Sequence, residues 1–287
     1  MNKKFDLYTE HFGLTERPFS VLPDPSFLYW TAQHTRAYAM LEYGLLTRAP
    51  ITLITGEVGA GKTTLLQQLM QNLDEDLTVG LISNAHGDRG ELLHWVLMAL
   101  NQKPEPGAGY VELFAAFQEF LIAEYARGQR VVLIFDEAQN MTNESLEELR
   151  MFTNINSNKD ELLQLILIGQ PELQDMVRKP EMRQFAQRVS SSFHLKHMDA
   201  ATVYEYIRHR MKIAGANKVL FNKAAAASVY QATGGVPRLV NQLCDLAMVY
   251  AYTAGAQSVT AKTVQVVLDD GTFFGRTAQE PEESVTK

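Results

Sequence analysis

One short stretch constrains this chain more than any other. Gly56-Glu57-Val58-Gly59-Ala60-Gly61-Lys62-Thr63 follows the β-rich run Ile51–Thr55 and leads into a segment with Leu65, Leu66, Leu69, Met70 and Leu73 at helical spacing. Glycines at these positions let successive backbone N–H groups converge on an anion. A helix beginning near Gly61 adds its unpaired N–H groups and the positive end of its dipole. Lys62 is placed to reach terminal phosphates and Thr63 to offer a hydroxyl to Mg2+, with Thr64 beside it. The strand before and the helix after are what separate this pattern from a chance glycine-rich turn, so a phosphate-binding loop is expected from Gly56 to Thr64.

Such a loop needs an acidic partner at the end of another core strand, and Val131-Val132-Leu133-Ile134-Phe135-Asp136-Glu137 supplies one. Asp136 is expected to hold Mg2+ and Glu137 to orient, or take a proton from, the attacking water. Guanine specificity is not expected. Asp136-Glu137-Ala138-Gln139 lacks the Asp-x-x-Gly pattern, and Asn158-Lys159-Asp160-Glu161 has its acid out of place for Asn-Lys-x-Asp. ATP with Mg2+ is the expected ligand.

Five β-rich runs, Ile51 to Thr55, Leu77 to Ile82, Arg130 to Phe135, Leu162 to Ile168 and Ser192 to Leu195, alternate with helical segments such as Leu146, Leu149, Phe152 and Ile155. Strands apolar on both faces between helices predict an α/β fold: a mostly parallel five-stranded sheet in a three-layer αβα core over residues 49–198. After that the pattern is helical, with helices expected at about 199–214, 222–233, 236–253 and 260–269, making a small domain over 199–270. Residues 1–48 form a lead rich in proline and aromatic residues, too apolar for a loose linker, and then a helix from about Thr35 to Leu46. The polar, acidic stretch 271–287 has no periodicity and is expected to be disordered.

Lys plus Arg number 26 against 33 Asp plus Glu, a formal charge of -7, so no overall positive field draws the chain to nucleic acid or anionic lipid. The single cysteine, Cys244, excludes an intramolecular disulfide and fits a reducing compartment. Its apolar neighbourhood, Leu239 to Val249, suggests a packed core thiol. No signal-peptide core follows Lys3 and Lys4, and no run reaches the roughly 18 residues of a membrane helix. A cytoplasmic location is expected, with no direct membrane insertion and any inner-membrane association made through a partner.

The sequence resembles the ExeA/GspA group of AAA+ ATPases, of general secretion pathway protein A type, with relatives encoded beside exopolysaccharide and exosortase systems. The resemblance runs over about residues 5 to 268. It is carried by Phe12-Gly13-Leu14, Pro18-Phe19, Pro23-Asp24-Pro25-Ser26-Phe27-Leu28-Tyr29, His34, Glu42-Tyr43-Gly44-Leu45 and the phosphate loop. It continues through Asp136-Glu137-Ala138-Gln139, Ile168-Gly169-Gln170-Pro171-Glu172-Leu173, Gln187-Arg188 and Gly234-Gly235-Val236-Pro237-Arg238. It implies that the lead borders the adenine, and that Gln170 is the polar sensor of the γ-phosphate or water. Arg188 is implied as an arginine finger offered to a neighbouring subunit, with Arg183 a competitor, and Arg238 as the second sensor arginine on a helical lid. Arg238 after Gly-Gly-x-Pro also suits a salt bridge at a helix N-terminus. Long members of the group continue through a transmembrane helix into a periplasmic peptidoglycan-binding part. Neither is in these 287 residues, so peptidoglycan binding and a role in type II secretion do not follow.

The function implied is an ATPase self-associating into a ring or filament and remodelling or regulating a protein complex in secretion or polysaccharide export. A second reading is an ATP-dependent DNA-binding regulator of transposition or replication type, with Arg208, Arg210 and Lys212 on one helix and Arg178, Lys179 and Arg183 on another as its basic patches. A third is an ATP-bound scaffold that hardly hydrolyses.

Overall fold

The computed structural model describes residues 7–20, 25–27, 29–83, 91–157 and 160–275. Pro23, Asp24 and Leu28 of the lead motif, Lys3 and Lys4, Asn158 and Lys159, and the tail from residue 276 lie outside the described residues. Two compact units are present. One comprises Ala32–Val58 and Lys62–Lys196; the other comprises the residues up to Thr31, Gly59–Gly61 and those from His197 onward.

The first unit is built on five strands: β1 (Ile51–Gly56), β2 (Leu77–Ser83), β3 (Arg130–Asp136), β4 (Leu163–Gly169) and β5 (Val189–Leu195). They pair in the order β2-β3-β4-β1-β5, every pair parallel. Helices α1 (Ala32–Leu46), α2 (Lys62–Gln71), α3 (Glu91–Ala99), α4 (Tyr110–Ala126), α5 (Asn143–Phe152) and α6 (Pro171–Val177) accompany the sheet. Every residue of β1 and β4 is buried, so these strands read as mainly apolar runs, with Thr52, Thr55 and Gln164 as buried polar members, rather than as alternating ones.

Alternate residues nevertheless serve different layers. Leu53, Leu133, Phe135, Leu165 and Leu167 share a core with Leu93 and Val96 of α3, Phe117 and Leu121 of α4, and Leu149 and Phe152 of α5. On the opposite side α1 comes close: Gln164 donates to the Gly44 carbonyl at 3.0 Å and Ser191 to that of Met40 at 3.1 Å. A Cβ on Gly44 would lie 2.2 Å from the Thr52 hydroxyl, so glycine is what lets α1 seat on β1. A small antiparallel pair, Asn156–Ser157 with Asp160–Glu161, was not foreseen from the sequence.

The second unit is helical: α7 (Ala200–Ile213), α8 (Lys223–Thr233), α9 (Pro237–Thr253) and α10 (Ala261–Asp269). Asp199, Asn222 and Thr260 cap α7, α8 and α10 through their side-chain oxygens at 2.7, 2.8 and 3.2 Å. Pro237 opens α9, where a missing N–H costs nothing. Tyr8, Phe12, Phe19 and Phe27 of the lead are buried with Val203, Ile207, Phe221, Val240 and Cys244, so the lead contributes to this unit's core. The Tyr8 hydroxyl donates to the Asp245 carboxylate, which Arg17 also meets.

The basic clusters expected from the sequence are rearranged. Arg210 is buried, donating to the Pro18 carbonyl at 2.6 Å and the Tyr206 hydroxyl at 2.9 Å, with its guanidinium 4.8 Å from the centre of the Phe27 ring. Arg208 pairs with Glu205 at 3.2 Å. Arg178, Lys179 and Arg183 are exposed but do not share a helix: α6 ends before Arg178, and Arg183 begins a separate short turn of helix.

Candidate functional site

At the end of β1 the chain passes against β5 so closely that a Cβ on Gly56 would lie 2.8 Å from the Leu195 carbonyl oxygen. Gly59 and Gly61 follow with φ of +75° and +96°, left-handed values that an L side chain adopts only under strain. Helix α2 then starts at Lys62 with no acidic residue in its own first turn to answer its unpaired N–H groups and positive dipole end. Lys62 is buried and donates to the carbonyls of Gly56 at 2.6 Å and Glu57 at 2.9 Å. Its burial lowers the ammonium pKa, against the opposing pull of Glu137, Asp136, Glu57 and Glu172. Thr63 is exposed, its hydroxyl placed one residue into the helix. Within the other unit, a Cβ on Gly59 would lie 3.0 Å from both Val236 Cγ1 and Arg238 Cβ, so Arg238 starts α9 beside the crest of the loop.

Asp136 ends β3, and β4 lies between β3 and β1. The Glu137 N–H donates to Asp136 Oδ1 at 2.9 Å. Burial raises the Asp136 pKa; the Glu137 N–H and Lys62 oppose that rise, whereas the Glu137 charge adds to it. Two adjacent, partly buried carboxylates, one held above its ordinary value, form a donor set that calls for a cation. With the Thr63 hydroxyl they fit a hard, oxygen-seeking ion such as Mg2+. Glu137 itself has φ +56°, a left-handed backbone that costs a glutamate about 1–3 kcal/mol. This kink turns the chain out of β3 into the single 3-10 turn Ala138–Asn140.

Gln170 caps α6 at the end of β4, and its side-chain amide donates to Glu137 Oε2 at 3.3 Å. The structure therefore brings together Lys62, Asp136, Glu137 and Gln170. Arg188 is not with them. It immediately precedes β5, whose last residue, Leu195, is the one paired with Gly56, and seven strand residues span about 20 Å. At that distant end Arg188 contacts the Asn154 side chain and Glu161, the latter at 3.5 Å.

This fold and site can be set beside known proteins. Residues 46–177 match the family described as AAA domain. Over 274 residues the chain is 38% identical to general secretion pathway protein A of Aeromonas hydrophila, covering 93% of this chain and 50% of that one. An AAA domain therefore occupies residues 46–177, and the chain is similar over nearly its whole length to part of general secretion pathway protein A. It spans about half the length of that curated relative. The fold is shared with Drosophila ORC bound to DNA, at a TM-score of 0.69 and 16% identity over 95% of this chain and 68% of that one. It is shared too with Cdc6p of Pyrobaculum aerophilum, at 0.67 and 15% over 87% and 71%.

Sequence reasoning gave no role to several residues that hold these side chains. Gln139 was visible only as the last letter of Asp-Glu-Ala-Gln, yet it bonds both Glu137 and Gln170. Asn154 and Glu161, the partners of Arg188, lie 34 and 27 positions away from it and carry no motif. His194, whose Nδ1 is 3.0 Å from the Thr55 hydroxyl just before Gly56, was hidden in a strand. Among the described residues no helix is long and apolar enough to cross a membrane.

Proposed function

We propose that this chain binds ATP with Mg2+ on the loop Gly56–Thr64 and hydrolyses it at an interface between copies of itself, using the cycle to remodel or regulate a protein complex. Lys62 and the N-terminus of α2 take the terminal phosphates, and Thr63 and Asp136 hold Mg2+, which when bound draws negative charge off the phosphates. Glu137 accepts hydrogen from the attacking water, and Gln170 touches the same carboxylate and reports on the γ-phosphate. Arg238 closes the phosphates from the helical unit, residues 199–270, which acts as the lid, and the lead within 1–48 borders the base.

The observation that carries the shared site is the position of Arg188, about 20 Å along β5 from the loop of its own chain. An arginine side chain, built from bonds of about 1.5 Å, reaches about 7 Å. Arg188 is thus out of range of its own phosphates and suited to a neighbour's. Turnover per subunit that rises with protein concentration tests this; turnover constant from dilute monomer upward speaks against it. A role in secretion or polysaccharide export is supported by the likeness to general secretion pathway protein A, and capture of partners by an ATP-trapped variant tests it. For the DNA-binding reading, Arg210 faces inward and Arg208 pairs with Glu205, while Arg178, Lys179 and Arg183 are exposed. ATP-dependent, salt-sensitive binding to duplex DNA would support it.

A further inference from the structure

Three side chains close a ring at the end of β3 and β4. The Gln139 amide nitrogen donates to Glu137 Oε2 at 2.6 Å, the Gln139 amide oxygen accepts the backbone N–H of Gln170 at 2.9 Å, and the Gln170 side chain donates to the same Glu137 oxygen at 3.3 Å. The two Gln139 bonds fix its amide orientation, since only one rotamer presents NH2 to a carboxylate and C=O to an N–H. Among side chains in their usual neutral-pH form, glutamine alone offers a donor and an acceptor side by side at this length. Room for it is kept by Gly169, where a Cβ would lie 3.0 Å from the Gln139 oxygen.

We infer that Gln139 is a positioning residue for ATP hydrolysis: it ties the Glu137 carboxylate to the backbone at the head of α6. The chain at Glu137 is strained, with φ +56°, and the only side-chain donors to its carboxylate among the described residues are these two amides, both on Oε2. Oε1 is left to face the water. A carboxylate on a left-handed kink, if untethered, samples other rotamers, and misplacement of a reacting group by about 1 Å costs on the order of 100-fold. Gln139 also links the two residues expected to sense and to act, so that a shift of Gln170 moves the oxygen that Glu137 shares with it. This inference rests on the reading of Glu137 as the group that handles the water.

The test uses the full chain. Gln139→Met keeps the length and removes both hydrogen bonds. It should lower kcat about 10- to 100-fold while the Kd for ATP moves less than about threefold, because Gln139 touches no substrate. In the nucleotide-free protein, hydrogen exchange at the Gln170 amide should accelerate, since its acceptor is gone. Gln139→Glu, assayed at a pH where both carboxyl groups are ionised, separates the two halves: its carboxylate still accepts from Gln170, so exchange there stays slow, but it repels Glu137 instead of donating to it, so kcat still falls. That variant also decides the matter should Gln139→Met not fold. Single-turnover hydrolysis by Glu137→Gln/Gln139→Met should be no slower than by Glu137→Gln alone, because Gln139 acts through Glu137. An unchanged kcat in folded Gln139 variants overturns the inference while leaving Glu137 in place, and so does a parallel loss of kcat and ATP affinity. If Glu137→Gln itself turns over normally, the reading of Glu137 falls and this inference with it.

Discussion

Replace Arg188 by alanine in one preparation and Lys62 by alanine in another, and each should lose turnover for a different reason. The first keeps its pocket and lacks the arginine; the second keeps the arginine and lacks the lysine that meets the phosphates. Supplying such an arginine is worth about 10³ to 10⁵ in rate, or roughly 4–7 kcal/mol, so Arg188→Ala should bind ATP nearly normally and hydrolyse it at a thousandth of the rate or less. The roughly 20 Å between Arg188 and Gly56 along β5 sets the two at opposite ends of the strand, so a trans-acting Arg188 would require a head-to-tail contact between copies. In an equal mixture that assembles at random, half the pockets are intact and half of those meet an intact arginine, so activity should return to about a quarter of that of the unaltered protein. Phosphate release measured against total protein should show the recovery growing with concentration. A mixture that stays as inactive as its components, with mixed assemblies demonstrated by differently tagged subunits, refutes a trans-acting Arg188. Repeating the experiment with Arg183→Ala then distinguishes a wrong arginine from a wrong architecture.

Three further outcomes follow from the packing. Gly235→Ala should strongly destabilise the helical unit, because φ is +76° and the new Cβ would lie 1.8 Å from the Met198 carbonyl oxygen; a melting temperature within a degree or two of the parent's would contradict that contact. Cys244 should resist thiol reagents in the folded protein and react on unfolding, since burial pushes its pKa well up and leaves little thiolate; rapid native labelling would contradict its burial. Lys62 has a folded pKa below its unfolded value, so the unfolded chain binds the extra proton between the two and stability rises with pH there. The stability of nucleotide-free Lys62→Met relative to the parent should therefore decline as pH rises toward the ordinary lysine range, and a pH-independent difference would refute it.

The strand, loop and helix from β1 into α2 were legible because their pattern is local: glycines, lysine and threonine are contiguous, and an apolar run and a helical spacing flank them. The five strands were legible for a related reason, as burial on both faces leaves β1 and β4 mainly apolar. Residues that act across the sheet left weaker traces. Gln139 reaches Gln170 only because β3 and β4 are neighbours, a pairing that no spacing along the chain encodes. Arg210 read as one of three cations on a helix, and nothing in α7 alone says that the Pro18 carbonyl and the Phe27 ring arrive to bury it. The lead's aromatic residues called for a core but did not say which; they joined that of the helical unit.

Mg2+-dependent ATP turnover by the parent and by Glu137→Gln, with ATP binding measured on the same samples, bears most directly on the account. The parent should bind ATP and release phosphate, and Glu137→Gln should bind ATP as tightly and release almost none, because the glutamate acts on the water and not on the bound nucleotide. Equal turnover by the two proteins, or loss of binding and turnover together in the variant, would contradict the assignment of Glu137 and the site built around it.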